Sequence, residues 1–484
     1  MSMEKVVRYI LSHFPHHPTD MQQQACETMV RFLYDSDPAA AFLLRGYAGT
    51  GKTSLVSALV RSAPALHIKT LLLAPTGRAA KVLANYSGQQ AFTIHRKIYQ
   101  TITDSTGTMR MARALNKHSY TLFIVDEASM IGQGDDTGSG QHNLLEDLVD
   151  YVAEGNHCRL MLIGDTAQLP PVGSSESPAL DAHYLHSILG LKVHHCELTE
   201  VVRQQRMSGI LLNATLLRRQ IAVLPDGGLP QLPLFDLEGC DDILRLRGDE
   251  LEELLNREYA DDSLEQVAII TRSNKRANLF NQAIRNRILF REDEVNAGDY
   301  LMVVKNNYYW LESDSEIGFI ANGDIVEVQS LRNYQELYGF HFVDATLRFV
   351  DYPDMPAHDC KLLLETLHSE SPSLTFHESQ QLFESVMEDY ADMPRKADRL
   401  RAVKENPYYN ALQVKFSYAL TCHKTQGGQW LTAIIDQGYL TDEMIDKEYL
   451  RWLYTAVTRA SGKVYLLNFE DKFFETGDNN FEKK

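Results

Sequence analysis

Short, unbroken apolar runs recur through the first two hundred positions: AFLLRG (41–46), TLLLAP (70–75), TLFIVDE (121–127) and RLMLIGD (159–165). Each ends in small or polar residues, the pattern of parallel strands buried on both faces, with chemistry at their C-terminal ends. TSLVSALVRSA (53–63) and RAAKVLANY (78–86) lie between them and predict helices. A second set follows: VAIITRSN (267–274), FSYALTC (416–422), LTAIID (431–436) and VYLLNF (464–469). One α/β pattern therefore runs twice. Between the sets, GDYLMVVKNNYYW (298–310), ANGDIVEVQSL (321–331) and residues 338–351 alternate apolar and polar positions, as antiparallel strands do, and 376–405 turns helical and charged. That predicts a β-rich insertion with a helical arm inside the second α/β unit. GQGDDTGSGQH (132–142) predicts a loop and LPDGGLPQLP (224–233) a connector.

Composition narrows the class. A chain of 484 residues predicts about two to four domains, and 44% hydrophobic with 23% charged residues fits a globular protein with sizeable cores. No apolar stretch approaches the ~20 residues of a membrane helix, and the start MSMEKVVRYILSHF lacks a signal-peptide layout. A cytoplasmic protein with no membrane partner is expected. The six cysteines are scattered without a CxxC pair, against a disulfide framework or a zinc site. The net charge of −18 weighs against a nucleic-acid partner, yet a local basic channel can coexist with an acidic exterior.

Three segments carry chemistry. GYAGTGKT (46–53) fits a phosphate loop between a strand and a helix. Gly46, Gly49, Thr50 and Gly51 let backbone amides close around phosphates, Lys52 supplies charge to them, and Thr53 offers a hydroxyl to magnesium. VDEAS (125–129) closes an apolar strand, placing Asp126 for magnesium and Glu127 for an attacking water. In GDTAQLPPV (164–172), Asp165 and Gln168 stand where a γ-phosphate sensor belongs.

With these motifs in order, the chain resembles superfamily 1 helicases, most closely the RecD-like branch that moves 5′-to-3′ on single-stranded DNA. TDMQQQA (19–25) looks like the adenine-reading Q motif, with Gln22 at the key place, and APTGRAAKVL (74–83) and TIH (93–95) look like DNA-gripping segments. LTEVVRQ (198–204) resembles the motif in which Arg203 reaches the γ-phosphate, and NGDIVEV (322–328) the approach to an SH3-like insertion. YALTCHKTQGGQW (418–430) and YTAVTRA (454–460) resemble the last two motifs, with Arg459 as a second arginine finger. Gln429 departs from the pattern, since the family often carries Glu there.

The resemblance implies two RecA-like P-loop lobes. The first is expected over 1–197, with a small strand-separating hairpin at about 99–119. The second is expected over 198–325 and 410–484, with an SH3-like β-rich insertion and helical arm over 326–409. It further implies ATP and magnesium as cofactors, a nucleotide contact at Gly427, and DNA contacts at Thr76, Arg78, Lys81, His95, Lys275, His423, Lys424 and Gln426. Partners would be single-stranded DNA and duplex junctions, then single-strand-binding or repair proteins, around a monomer. A DNA-stimulated ATPase that remodels nucleoprotein or serves as a motor subunit stays open beside an autonomous helicase. So does a nucleotide-gated scaffold.

Overall fold

A computed structural model describes residues 2–103, 109–132, 143–201, 208–224, 228–259, 264–311 and 319–474. Arg203, residues 104–108 of the expected hairpin stretch and nearly all of the Gly-rich stretch 132–142 lie outside these residues.

The first apolar set builds a six-stranded parallel sheet in the spatial order Ala91–Thr93, Lys69–Ala74, Thr121–Val125, Arg159–Gly164, Ala40–Gly46, Lys192–Leu198. Its two faces are buried in separate cores, one around Phe42, Leu44 and Ile124, the other around Leu43, Phe123 and Leu162. Alternate residues of one strand thus enter opposite cores, which is why these strands read as unbroken apolar runs. The hairpin expected near 99–119 is present as Tyr99–Thr103 antiparallel to Met109–Arg113.

The second set builds a five-stranded parallel sheet, ordered Ala419–Thr421, Val267–Thr271, Trp430–Asp436, Ala460–Leu467, Ile243–Leu246. Between its parts the chain closes a five-stranded barrel. The barrel is wider than the expected 326–409, because Tyr300–Val303 pairs with Ile325–Leu337 on one side and Leu412–Phe416 on the other. Closure, which leaves no open edge, requires both outlying strands. The single strand expected over 416–422 is accordingly two: Phe416 ends a barrel strand, and Ala419–Thr421 begins again in the lobe sheet. The helical arm expected over 376–405 is present as Phe376–Glu388 and Lys396–Lys404.

A buried ionic knot joins barrel to lobe at this crossing. Asp299, fully buried, takes Arg285 at 3.1 Å and Arg291 at 2.7 Å. It also accepts from the Tyr418 hydroxyl at 2.8 Å and the Asn296 amide at 2.8 Å. The Tyr418 hydroxyl in turn accepts from the Tyr300 amide at 3.1 Å, so both chain passages between the two bodies meet at one carboxylate. Removing one member of such a network leaves buried charge uncompensated, at about 3–5 kcal/mol. Asp299→Ala is therefore expected to lower the unfolding free energy by about that amount in urea titrations. A loss below about 1 kcal/mol, the range of exposed ion pairs, would mean that the junction is held by packing alone.

Candidate nucleotide site and the face between the lobes

The phosphate loop leaves the strand Ala40–Gly46 and opens the helix Lys52–Ser62. Gly49 (φ 74°) and Gly51 (φ 87°) take the left-handed conformation that turns successive amides inward. Lys52 Nζ donates to the carbonyls of Gly46 at 2.6 Å and Tyr47 at 3.0 Å, folding the lysine over the loop. Thr53 is exposed on the helix's first turn. Gln22 is tied in from outside: Nε2 donates to the Thr50 carbonyl at 3.0 Å, while Oε1 accepts from the Thr19 amide at 3.0 Å in a capping box. Both ends of the amide expected to read adenine are thus engaged with protein.

Asp126 and Glu127 follow the strand Thr121–Val125. One Asp126 oxygen accepts from the Tyr86 hydroxyl and the other from the Glu127 amide at 2.9 Å. Glu127 adopts a left-handed backbone (φ 52°), a strained conformation of the kind that concentrates at functional sites. Burial pushes its carboxyl upward against the opposing pull of Arg459. Arg459 comes from the other lobe, with Nη1 4.0 Å from Glu127 Oε1 and within 3.3 Å of the Gly428 carbonyl. Asp165 is buried beside them and its carboxyl is likewise pushed up by burial, with Lys52 opposing. Gln168 Oε1 and Ser129 Oγ are buried without a hydrogen-bond partner among the described residues. Both residues line a cavity of about 300 Å³ that also takes in Tyr47, Asp165, Arg218 and Arg451.

The 423–430 loop packs against the first lobe. Gly427 has φ 72°, and a Cβ there would lie 2.7 Å from Ala79 Cβ and 3.2 Å from Thr76 Oγ1. Close approach to the first turn of the helix Gly77–Ser87, rather than the expected nucleotide contact, is what demands glycine. Gln426 is buried and donates to the Leu169 carbonyl at 2.7 Å, so its amide clamps the sensor loop instead of facing DNA. Arg78 donates to the Gln429 carbonyl at 2.9 Å with its guanidinium 3.9 Å from the Trp430 ring centre. Lys81 donates to the Val350 carbonyl at 3.0 Å and lies 3.6 Å from Asp351. Thr76 caps its helix by accepting from the Ala79 amide. Burial holds the His95 ring down at about 4, so it is neutral near pH 7 and no cationic grip on phosphate. Lys275 is exposed, His423 half-buried, and Lys424 reaches Asn322 at 2.8 Å with its ammonium brought down to about 8 by burial.

Two family models match in order, an AAA domain over residues 19–222 and a UvrD-like helicase C-terminal domain over 416–467. The ATP-dependent RecD2 DNA helicase of Deinococcus radiodurans is 29% identical over 318 residues, 63% of this chain and 40% of that protein. The chain is similar to RecD-like superfamily 1 helicases. The ATP-dependent DNA helicase dda of Enterobacteria phage T4 is 29% identical over 164 residues, 33% of this chain and 34% of the phage protein. This RecD-like chain therefore spans well under half the length of both named relatives. A Bacteroides Pif1 helicase solved with ADP-AlF3 and single-stranded DNA aligns over 95% of this chain and 94% of its own, at 16% identity and a TM-score of 0.48.

Tyrosines are what the motif reading missed in this RecD-like site. Tyr86 braces Asp126, Tyr47 donates to Glu197 at 3.1 Å, and Tyr454 reaches across from the second lobe. All three lie inside or at the end of segments singled out by sequence, GYAGTGKT, RAAKVLANY and YTAVTRA, but at positions to which those patterns assign no chemistry. The barrel adds Asp324, 2% exposed, with one carboxylate oxygen accepting from Ala321 and the other 2.4 Å from where a Gly77 Cβ would stand.

Burial lifts the Asp324 carboxyl to about 7. The unfolded carboxyl ionises near pH 4, so between about pH 4 and 7 the unfolded state alone loses its proton and stability falls as pH rises. Asp324→Asn, which keeps the shape without the charge, is expected to raise the melting temperature, and by more at pH 8 than at pH 4.5. Equal gains at the two pH values in matched scans would rule out the burial explanation.

Proposed function

We propose that this protein is an ATP-driven DNA motor that moves 5′-to-3′ along a single strand and opens the duplex ahead of it. The observation that carries the reading is the meeting, at one cleft, of phosphate loop, Glu127 and sensor loop from one lobe with Arg459 from the other. The named relatives, both ATP-dependent DNA helicases, support it.

In this reading Lys52 exchanges its two loop carbonyls for nucleotide phosphate. Glu127, whose carboxyl burial pushes up from its ordinary value, accepts the proton of the attacking water. Gln168 turns its unsatisfied Oε1 to the same water. Arg459, with Arg203 from the segment outside the described residues, spreads transition-state charge, an effect worth about 10³–10⁵ in rate for arginine fingers. Thr53 and Asp126 would hold magnesium; Asp126 fits, because Tyr86 and the Glu127 amide already fix its orientation as outer partners fix metal ligands. Magnesium, when bound, offsets phosphate charge.

Because arginine and base sit on different lobes, hydrolysis requires closure, and loss of the γ-phosphate releases it. The strand is gripped along the face that joins Thr76, Arg78, Lys81, Lys275, His423 and Lys424, with His95 contributing hydrogen bonding alone. Single-stranded DNA and duplex junctions are the partners this face suits.

Two matched duplexes, one with a 5′ single-stranded tail and one with a 3′ tail, test the reading, with Lys52→Ala as control. Unwinding of only the 5′-tailed duplex, abolished in the control, is expected. Single-strand affinity is also expected to fall steeply with salt as counterions are released. If neither duplex opens while single strands still raise ATP turnover, the protein is a remodelling ATPase or a motor subunit. Opening of the 3′-tailed duplex alone overturns the direction.

A further inference from the structure

Three second-lobe side chains hold the sensor loop of the first lobe. Gln426 donates to the Leu169 carbonyl at 2.7 Å, and Thr455 Oγ1 accepts from the Leu169 amide at 2.9 Å. The third is Tyr454, whose hydroxyl donates to Asp165 Oδ2 at 2.5 Å. Tyr454 differs from the other two in what else it touches. The same hydroxyl accepts the backbone N–H of Ala48, within the phosphate loop, at 2.9 Å. One oxygen atom on the helix Lys447–Val457 therefore satisfies the loop and the sensor segment together.

The surroundings leave that atom little freedom. Tyr454 is 1% exposed, its ring lies in the core that unites Ala167 and Leu169 of one lobe with Leu450, Leu453 and Val457 of the other, and Tyr47 and Ala48 pack on the same core. Asp165 is equally buried, and its other oxygen accepts from the Ala167 amide at 2.9 Å, which shapes the turn leading to Gln168. Four residues further along the tyrosine's helix, Thr458 ends the turn that presents Arg459, whose Nε is anchored on the Thr455 carbonyl at 3.1 Å. The arginine and the tyrosine thus move as one rigid element. A shift of the second lobe that withdraws Arg459 from Glu127 also withdraws the acceptor from Ala48 and the donor from Asp165. The Ala48 N–H and Asp165 Oδ2 would then lose this partner, so the loop and the sensor must rearrange with the lobe.

We infer that Tyr454 is a positioning residue that links lobe closure to the shape of the phosphate loop and of the sensor turn through its single hydroxyl. The inference rests on the ATPase reading above and names how that site is regulated. Closure does two things at once in this arrangement. It delivers Arg459, and it sets the Ala48 amide and the Asp165–Gln168 turn. Gln426 and Thr455 touch only the sensor side, so they fasten the lobes without reaching the phosphate loop.

Tyr454→Phe removes the hydroxyl and keeps the ring, and Thr455→Val removes a lobe contact of matching length that does not reach the phosphate loop. Steady-state ATP turnover of the full chain is measured with and without single-stranded DNA. Tyr454→Phe is expected to lower kcat at least about tenfold, in line with small misplacements of reacting groups, while KM for ATP stays within about threefold. Thr455→Val, which unbonds the Leu169 amide but leaves the phosphate loop alone, is expected to lower kcat clearly less than Tyr454→Phe does. An unchanged kcat in Tyr454→Phe, or an equal loss in both variants, overturns the inference, because the second result would make any inter-lobe contact sufficient.

Failure of the motor reading is separable. A wild type whose turnover ignores DNA contradicts the motor, and the two variants are then compared on basal turnover. If the wild type has no turnover, the thermal stabilisation by a non-hydrolysable ATP analogue is compared with that by ADP. The difference between the two nucleotides is expected to shrink in Tyr454→Phe, and an unchanged difference overturns the link.

Discussion

A phosphate loop is a stretch of buried backbone with no secondary structure of its own to satisfy it. Its amides must stay available to phosphate, and its carbonyls must be bonded somewhere. Here the solution is distributed. The Thr50 carbonyl is satisfied by Gln22 from an N-terminal helix, the Gly46 and Tyr47 carbonyls by Lys52, and the Ala48 amide by Tyr454 from the opposite lobe. The loop's resting shape is thus set by three separate parts of the fold. That dependence makes a two-lobed architecture more than a pair of walls around a cleft.

The barrel extends the same logic. It is fused to the second lobe through the Asp299 knot, and it reaches the first through Lys81 on Val350 and Asp351 and through Asp324 against Gly77. The helix Gly77–Ser87 is therefore touched on one turn by the 423–430 loop and beside it by the barrel. Residues that the motif pattern suggested as free DNA contacts, Arg78 and Lys81, are partly engaged in holding three bodies together. Under the motor reading this is coherent, since a strand lying over that helix would compete with, or reshape, the contacts that set lobe spacing.

The sheets were legible because doubly buried strands print as unbroken apolar runs, and TLLLAP, TLFIVDE, RLMLIGD and LTAIID all fall on them. The barrel limits were not. LQVKF is almost fully buried and lies in the stretch expected to belong to the lobe, and only its pairing with YLMV, more than 110 residues earlier, reveals the barrel they close. Side-chain engagement was also hidden. Sequence places Gln22 and Gln426 near the cleft, but whether an amide faces outward or is consumed by a carbonyl depends on packing from distant segments. His95 reads as basic by residue type, and burial removes its charge. Tyr86 and Tyr454 gave no signal of their own, because a tyrosine packed partly or wholly among apolar residues reads as core.

The acidic balance of −18 posed the sharpest objection to a nucleic-acid partner. It weakens once local placement is considered. Some carboxylates are paired at short range, as Asp35 is with Lys192 and Asp344 with Lys361, so the acidic excess is carried by other groups. Lys415 and Lys424 stand in the opposite condition. Both ammonium groups are brought down to about 8, each mainly by burial, and the nearby charge of Lys424 lowers Lys415 further. Among the described residues, the bonds of both ammonium groups go to carbonyls and an amide oxygen, with no carboxylate among their partners. A chain acidic as a whole can thus keep positive charge at one spot without a matching carboxylate beside it.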